Sequence, residues 1–390
     1  MVGLFALYGS SAVIVLGENI DVLDKSLHRK KSHSESSSDS VASTASASSV
    51  LSPLQDRFGR TFDYVRIAVT EKCNLRCTYC MPEEGVDFPD QNAVLTAAEI
   101  QRSVETLAKM GVRKVRFTGG EPLVRKDIVD IVSSTANTPG VKAVHLTTNG
   151  LLFPKYAKDL LKAGLTGVNI SLDSLDADKF ETITRRTGLD KVLESIQCAL
   201  DVGFKTVKVN VVLMRGFNED ELHDFCEMTK DQRVTVRFIE FMPFDAHQMW
   251  ETGEHFASAA NLVDQIEEFY PGIKTASGTR TEHHIFQAPG YEGKIAVIPA
   301  FTRSLCGNCS RIRVTSDGQI RNCLYSDDEF DLKGLLRKDG CTEEDVVGIF
   351  RKAFDEKHLD GFEAKKKSTE KKVNVSDIGK GRTSMTQIGG

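Results

Sequence analysis

Residues 114–150 read KVRFTGGEPLVRKDIVDIVSSTANTPGVKAVHLTTNG. A β-rich run at 114–118 breaks at Gly119-Gly120, a helical stretch follows at 126–136, and a second β-rich run at 143–148 breaks at Asn149-Gly150. A strand–helix–strand unit of this kind places two parallel strands in one sheet, joined by a right-handed crossover. The alternation continues on both sides. Further strands are predicted at 64–69, 167–172, 206–213 and 235–241, and helices at 97–109, 154–162, 189–202 and 219–230. The 189–202 segment carries Val192, Leu193, Ile196 and Leu200 at helical spacing, which makes one apolar face. Six β/α units in series define an α/β fold with a parallel sheet. Pattern alone does not decide whether that sheet closes into a barrel.

Polar motifs gather at the ends of these strands: Thr118-Gly119-Gly120-Glu121-Pro122, Thr147-Thr148-Asn149-Gly150, Ser171-Leu172-Asp173 and Glu240-Phe241-Met242. Gly, Asn and Pro also simply make turns. Four such motifs on one edge nevertheless point to a site at the C-terminal ends of the strands, where β/α barrels build their active sites.

After about residue 251 the alternation stops. A helix is predicted at 261–270 and short strands at 296–299, 311–315 and 319–322, the last two joined by Ser316-Asp317-Gly318, a hairpin signal. A further helix is predicted at 343–354, and five lysines between 365 and 372 read as a solvated face. At the other end, residues 32–52 hold 11 serines in 21 positions. Such a segment buries too little apolar surface to offset its ordering entropy and is expected to be disordered. The expected organisation is therefore a Ser-rich leader at 1–55, a barrel at 56–250 and a smaller α+β domain at 251–390. The first 25 residues contain no Arg, one Lys and three acidic residues, a poor match to a mitochondrial presequence. The net charge of −5 argues against a nucleic-acid binder. The apolar stretch at 2–17 is shorter than the roughly 20 residues that span a membrane.

Six of the nine cysteines form two tight groups, Cys73/Cys77/Cys80 and Cys306/Cys309/Cys323. An odd, clustered set reads as metal or redox chemistry rather than as a disulfide framework. Cys198, Cys226 and Cys341 are expected in helices as ordinary thiols. Each group offers three ligands, whereas a structural zinc site normally takes four. Three thiolates fit a 4Fe–4S cluster with one open iron. A zinc reading stays open for both groups, with Cys341 as the candidate fourth ligand of the second. Beside that second group stand Arg311 and Arg313, which share a strand face. Paired guanidiniums there suit a phosphate or another anion, and an exposed polar face is the plainer alternative.

CNLRCTYC at 73–80 is the CxxxCxxC signature of the radical S-adenosylmethionine (SAM) enzymes, and GGEP at 119–122 resembles that family's motif at the end of the second strand. The resemblance implies a partial (β/α)6 barrel. It also implies a 4Fe–4S cluster at Cys73, Cys77 and Cys80 that cleaves SAM to a 5′-deoxyadenosyl radical. With the second Cys group, the TTNG, SLD and FIEFMPF segments and the terminal Gly389-Gly390, the stretch from residue 56 to 390 resembles the GTP 3′,8-cyclase family of molybdenum cofactor biosynthesis. By that resemblance a second 4Fe–4S cluster sits at Cys306, Cys309 and Cys323, and its open iron binds the guanine of GTP. The radical takes the ribose 3′ hydrogen, and C3′ then attacks C8.

Carried over residue by residue, the SAM contacts are Tyr79, Gly120, Ser171 and Met242. The substrate contacts are Arg66, Arg116, Thr147, Lys208, Arg311 and Arg313, with Arg237 a weaker candidate. Arg311, Arg313, Gly389 and Gly390 are assigned to catalysis, the diglycine reaching into the site. The approach to that end, Ser384-Met385-Thr386-Gln387-Ile388, is more polar than is usual in relatives. The resemblance further implies a downstream cyclic pyranopterin monophosphate synthase and an electron donor as partners, with a second copy of the chain as a further candidate, and neither nucleic acid nor membrane. It places the chain in the mitochondrial matrix if eukaryotic and the cytoplasm if bacterial. The alternatives are a radical-SAM peptide-modifying enzyme with an auxiliary cluster and a non-catalytic metal scaffold. The cyclase reading requires both cysteine trios to face one cavity.

Overall fold

The computed structural model describes residues 51–86, 90–242, 254–276, 284–302, 306–371, 382 and 384–389. Most of the Ser-rich leader, the lysine at 372 and Gly390 lie outside them. The barrel strands are β1 (Tyr64–Ala68), β2 (Lys114–Thr118), β3 (Ala143–Thr148), β4 (Gly167–Ser171), β5 (Thr206–Leu213) and β6 (Thr235–Glu240). The later strands are β7 (Lys274–Thr275), β8 (His284–Gln287), β9 (Lys294–Ile298), β10 (Arg311–Val314), β11 (Gln319–Arg321) and β12 (Phe330–Asp331). The helices are α1 (Ala97–Lys109), α2 (Ile128–Ala136), α3 (Phe153–Lys162), α4 (Ala177–Thr184), α5 (Leu189–Val202) and α6 (Leu222–Glu227), followed by α7 (Ala259–Phe269), α8 (Leu332–Leu336), α9 (Glu343–Asp355) and α10 (Gly361–Lys371).

All these strands join one sheet, in the order β12-β11-β10-β1-β2-β3-β4-β5-β6-β9-β8-β7. β1 to β6 run parallel in sequence order, and β10 and β9 continue the parallel pairing on the two sides. The expected C-terminal α+β segment therefore makes no second sheet. It adds a parallel strand and a hairpin to each edge of the barrel sheet, which covers edges that would otherwise carry unpaired backbone groups. Contacts join residues 48–390 in a single unit. The N-terminal part of that unit starts before residue 56: Leu54 is buried in the core and donates its N–H to Met110 O.

Local chemistry explains where the elements stop. Thr96 and Glu99 close a capping box at the start of α1, and Thr342 and Asp345 do the same for α9. On α5 the buried face is Val192, Ser195, Ile196 and Ala199, while Leu193 is exposed, so the apolar stripe is rotated from the expected one. The predicted helix at 219–230 divides into a single 3-10 turn at Glu219–Glu221 and the short α6. Helices α4 and α10 carry no strong sequence signal. α10 presents Lys365, Lys366 and Lys367 to solvent as expected. Cys341 lies in the turn before α9 rather than in a helix.

The alternation of the strands decides the site. Val144 and Leu146, Val168 and Ile170, and Val209 and Val211 belong to the hydrophobic core. Their neighbours His145 and Thr147, Asn169 and Ser171, and Lys208 and Asn210 therefore face the inside of the curved sheet. The interior is polar and cationic, the reverse of an ordinary barrel core.

Candidate functional site

The strand ends and the loops after them enclose a cavity of about 340 Å³. All six clustered cysteines line it. The first trio sits in the loop after β1, and the second stands before β10 and after β11. Because β10 pairs beside β1, with Arg66 opposite Arg313, the two trios come to one mouth. None of the six is in a disulfide. Cys341 does not line the cavity; Arg102 of α1 contacts its sulfur at 3.3 Å.

At the first trio the backbone makes a cradle. A Cβ at Gly119 would lie 2.2 Å from Thr70 O, and one at Gly120 would lie 2.4 Å from Glu71 O, so only glycine lets the β2 loop pass there. Glu121 locks that loop to the next. Its carboxylate accepts from Leu123 N at 3.0 Å, Asn149 N at 2.7 Å and Thr148 Oγ1 at 2.8 Å. Burial nevertheless pushes its carboxyl up to about 7. Tyr79 donates from its hydroxyl to Asp173 at 2.7 Å, and Asp173 also accepts from Val212 N. Burial raises the Asp173 carboxyl to about 6. Ser171, Gly120 and Met242 line the same cavity as Tyr79. Tyr325 donates its hydroxyl toward Met242 Sδ at 3.4 Å.

Between the trios the lining is cationic. Arg66, Arg116, Arg237, Arg311, Arg313 and Lys357 all contribute, with Thr147 among them. Burial and mutual repulsion lower Arg116 and Arg313 to about 9. Lys208 is buried in the same interior without reaching the lining. The guanidiniums are held by neutral acceptors. Asn210 Oδ1 takes Arg237 Nε at 2.9 Å, and the Asn169 oxygen, turned toward them, takes Arg116 Nη1 at 2.7 Å and Arg237 Nη2 at 2.5 Å. Tyr64 accepts Arg66 Nε at 3.0 Å and lies under Arg66, Lys114 and Arg116 at 5.4–5.8 Å from its ring centre. Although burial raises its phenol, these cations and Arg311 win and bring it down to about 7.

The C-terminal tail enters this cavity. Ser384 Oγ donates to Cys80 O at 2.8 Å, Met385 and Thr386 line the cavity, and Arg313 Nη1 donates to Gly389 O at 2.9 Å. Gly389 approaches Ala68 and Thr118 at the ends of β1 and β2. The polar approach noted in the sequence is what docks it: Ser384 and Thr386 are buried and hydrogen-bonded, and Arg382 pairs with Asp317 and Glu329 outside.

The donor set fits iron–sulfur ligation. Burial pushes the Cys73 thiol up to about 11 and Cys80 to about 12, and it raises Cys77 and Cys306 as well. Grouped, half-buried thiols become thiolates when a metal cation compensates them. Among the described residues, no three His, Cys, Asp or Glu side chains are grouped to hold a single metal ion. Each trio is one ligand short of a closed zinc site.

Several functional candidates carried no signal of their own in the sequence. Tyr64, Asn169, Asn210 and Lys357 are seen only once the strands are in register. Tyr64 could have been found as the residue two before Arg66 on the same strand face.

The chain matches the Radical SAM superfamily over residues 67–229 and Molybdenum Cofactor Synthesis C over residues 234–362. Two solved structures of Streptococcus suis SuiB share the fold at 17% identity. One superposes with a TM-score of 0.52, covering 76% of this chain and 66% of that one. The other, bound to S-adenosylmethionine, gives 0.50 over 72% and 64%. Fold, cysteine loop and cavity thus define a radical SAM enzyme, a class that works with a 4Fe–4S cluster and SAM.

The GTP 3′,8-cyclase of Chlorobaculum tepidum is 42% identical over 337 residues, 86% of this chain and 97% of that protein. The GTP 3′,8-cyclase of Peptoclostridium acidaminophilum is 44% identical over 76% of this chain and 90% of its own. Human molybdenum cofactor biosynthesis protein 1 is 42% identical over 78% of this chain, which spans about half of that longer relative. The chain belongs to the GTP 3′,8-cyclase family.

Proposed function

We propose that this chain converts GTP to 3′,8-cyclo-7,8-dihydro-GTP, an early step of molybdenum cofactor biosynthesis, using SAM and two 4Fe–4S clusters. The observation that carries the reading is one cavity lined by two incompletely ligating thiol trios with a band of cations between them. A polyanionic nucleotide suits that band, because preorganised cations in a partly dry cavity attract charge more strongly than they would in water.

Cys73, Cys77 and Cys80 would hold a 4Fe–4S cluster that, with SAM bound, would supply a 5′-deoxyadenosyl radical for abstraction of the ribose 3′ hydrogen. The chain's own residues bind and orient. Gly119 and Gly120 open the β2 edge to the amino-acid end of SAM, while Tyr79, Ser171 and Met242 form the wall beside it. Arg66, Arg116 and Arg237 hold the triphosphate, and Lys208, buried in the same interior, adds to the positive charge there. Arg311, Arg313 and the Cys306/Cys309/Cys323 site hold the guanine end, and the Gly389 tail closes the space between. Cyclisation of C3′ onto C8 is completed by one electron and one proton, so an external electron donor is needed. The product passes to an enzyme that rearranges it to a cyclic pyranopterin. An oxygen-labile chain of this kind belongs in a reducing, cluster-supplied compartment, the mitochondrial matrix in a eukaryote.

The test is anaerobic incubation of the reconstituted chain with GTP, SAM and dithionite. The expected result is about eight irons per chain, GTP-dependent 5′-deoxyadenosine and a cyclised nucleotide by mass spectrometry. Absence of the cyclised nucleotide with both clusters loaded overturns the reading.

A further inference from the structure

The cavity wall beside the second trio holds a charge that the reading above does not use. Lys357 follows α9 and lines the cavity together with Cys306, Cys309 and Cys323. It is only 2% exposed. Its Nζ lies over the rings of Phe62 and Phe354, 5.6 and 5.9 Å from their centres. It donates to the backbone oxygen of Asn322, the residue before Cys323. Asn322 is itself tied to α9, its side chain donating to Ala353 O at 2.8 Å. On the other side Arg60 donates to Cys306 O at 3.0 Å and to His358 O at 2.7 Å. The ammonium is therefore pinned where both parts of the second trio meet the end of α9.

These contacts hold the side chain but do not explain its charge. The backbone oxygen and the two rings are neutral, and among the described residues Lys357 forms no ion pair with a carboxylate. Burying an ammonium without an anion costs free energy, so buried charges are normally paired. The other cations of this side have partners or tasks: Arg60 is paired with Asp56 at 2.6 Å, and Arg311 is among the cations assigned to the nucleotide. Of the cations that act on Cys309, Lys357 acts most strongly. Thiolates at Cys306, Cys309 and Cys323 are the anions that this lysine lacks.

We propose that Lys357 is the counter-charge of the Cys306/Cys309/Cys323 site: its ammonium compensates the thiolates there and makes a cluster bound to them easier to reduce. This rests on the two-cluster reading above. Reduction brings one electron from dithionite to the cluster and no proton, so it adds negative charge beside the lysine, which favours the reduced form. The measurement is a redox titration followed by electron paramagnetic resonance on the anaerobically reconstituted full chain. Cys80→Ala isolates the second cluster and Cys323→Ala the first, each with native Lys357, Lys357→Met or Lys357→Arg. In the Cys80→Ala chain, Lys357→Met should make the second cluster about tenfold harder to reduce, a midpoint lower by about 59 mV. Lys357→Arg keeps the charge and should recover most of that shift. The first cluster, in the Cys323→Ala chain, should move less than the second in both variants. An unchanged second midpoint in Lys357→Met overturns the inference, as does an equal shift of both clusters. If Lys357→Met fails to hold the iron of the second cluster, Lys357→Arg decides: iron retained there bears the inference out, and iron lost in both variants overturns it. If the wild-type chain loads about four irons rather than about eight, it is the two-cluster reading that fails, and the inference falls with it.

Discussion

The two thiol trios share a cavity but differ in construction and in surrounding charge. The first lies within eight residues of one loop, and its nearest ionisable neighbours include the carboxyls of Glu121 and Asp173. Burial and those neighbours raise its thiols. The second is assembled from the two ends of the β10–β11 hairpin, among cations. Burial raises Cys309, yet Lys357, Arg311 and Arg60 outweigh it and bring the thiol below its usual value. The side of the cavity that holds a neutral-to-acidic lining suits cationic SAM, and the side that holds cations suits an anionic nucleotide. One cavity thus sorts two charged molecules by the sign of its walls.

The largest expected effect tests that division. Cys80→Ala and Cys323→Ala should each lose about half of the roughly eight irons, measured by colorimetric iron assay. Cys80→Ala should lose 5′-deoxyadenosine formation altogether. Cys323→Ala should retain reductive SAM cleavage and yield no cyclised nucleotide. If the two variants behave alike by chromatography of both products, the trios do not have separate tasks.

Arg313 comes next, because it serves both the cationic lining and the tail through Gly389 O. A hydrogen bond to a charged group contributes about 1.5–3 kcal/mol, so Arg313→Ala should weaken GTP roughly ten- to hundredfold in equilibrium dialysis. Arg313→Lys keeps the charge and loses the planar fork, so it should fall between. Equal affinity for wild type and Arg313→Ala would remove the cationic wall from the account.

How much of this could be read in advance follows the same contrast. The first trio is local, so its spacing in CNLRCTYC was legible, as were the six strands, three of which end at the GGEP, TTNG and SLD motifs. Strand propensity, turn residues and burial agree there. The second trio was legible as cysteines but not as a place, because its position depends on β10 pairing with β1 across more than two hundred residues. The same long-range pairing joins the strands of the C-terminal segment to the barrel sheet, a connection the sequence pattern does not show. Tyr64, Asn169 and Lys357 stayed hidden because their role is to face a cation or a thiol from another strand. Pairwise placement of that kind leaves no periodicity in the chain.

A smaller effect is expected where the tail meets the first trio. Ser384→Ala removes the bond to Cys80 O and one end of a capping box with Gln387. A neutral hydrogen bond contributes about 1 kcal/mol, or roughly fivefold. GTP-dependent cyclisation should slow by about that factor, while the iron content stays the same. A slowed SAM cleavage with unchanged cyclised product per 5′-deoxyadenosine would mean that the tail acts on the first site alone.

The smallest effect concerns the loop lock beside the first trio. Glu121 has its carboxyl at about 7 in the folded chain, against 4.5 ordinarily. The folded state therefore holds this proton more tightly than the unfolded state does. Its contribution to stability is fully present below the unfolded value and is lost as pH rises through 7. Glu121→Gln cannot titrate. Its one amide oxygen can still accept from Leu123 N and Thr148 Oγ1, the bond from Asn149 N is lost at every pH, and its stability does not follow this proton. The gap in unfolding temperature between wild type and Glu121→Gln should therefore be wider at pH 6 than at pH 8, measured anaerobically by calorimetry. A gap that widens toward pH 8 means that three donated hydrogen bonds outweigh burial and hold Glu121 as a carboxylate. In that case the wall beside the first trio carries a fixed negative charge, and its difference from the cationic side is sharper still.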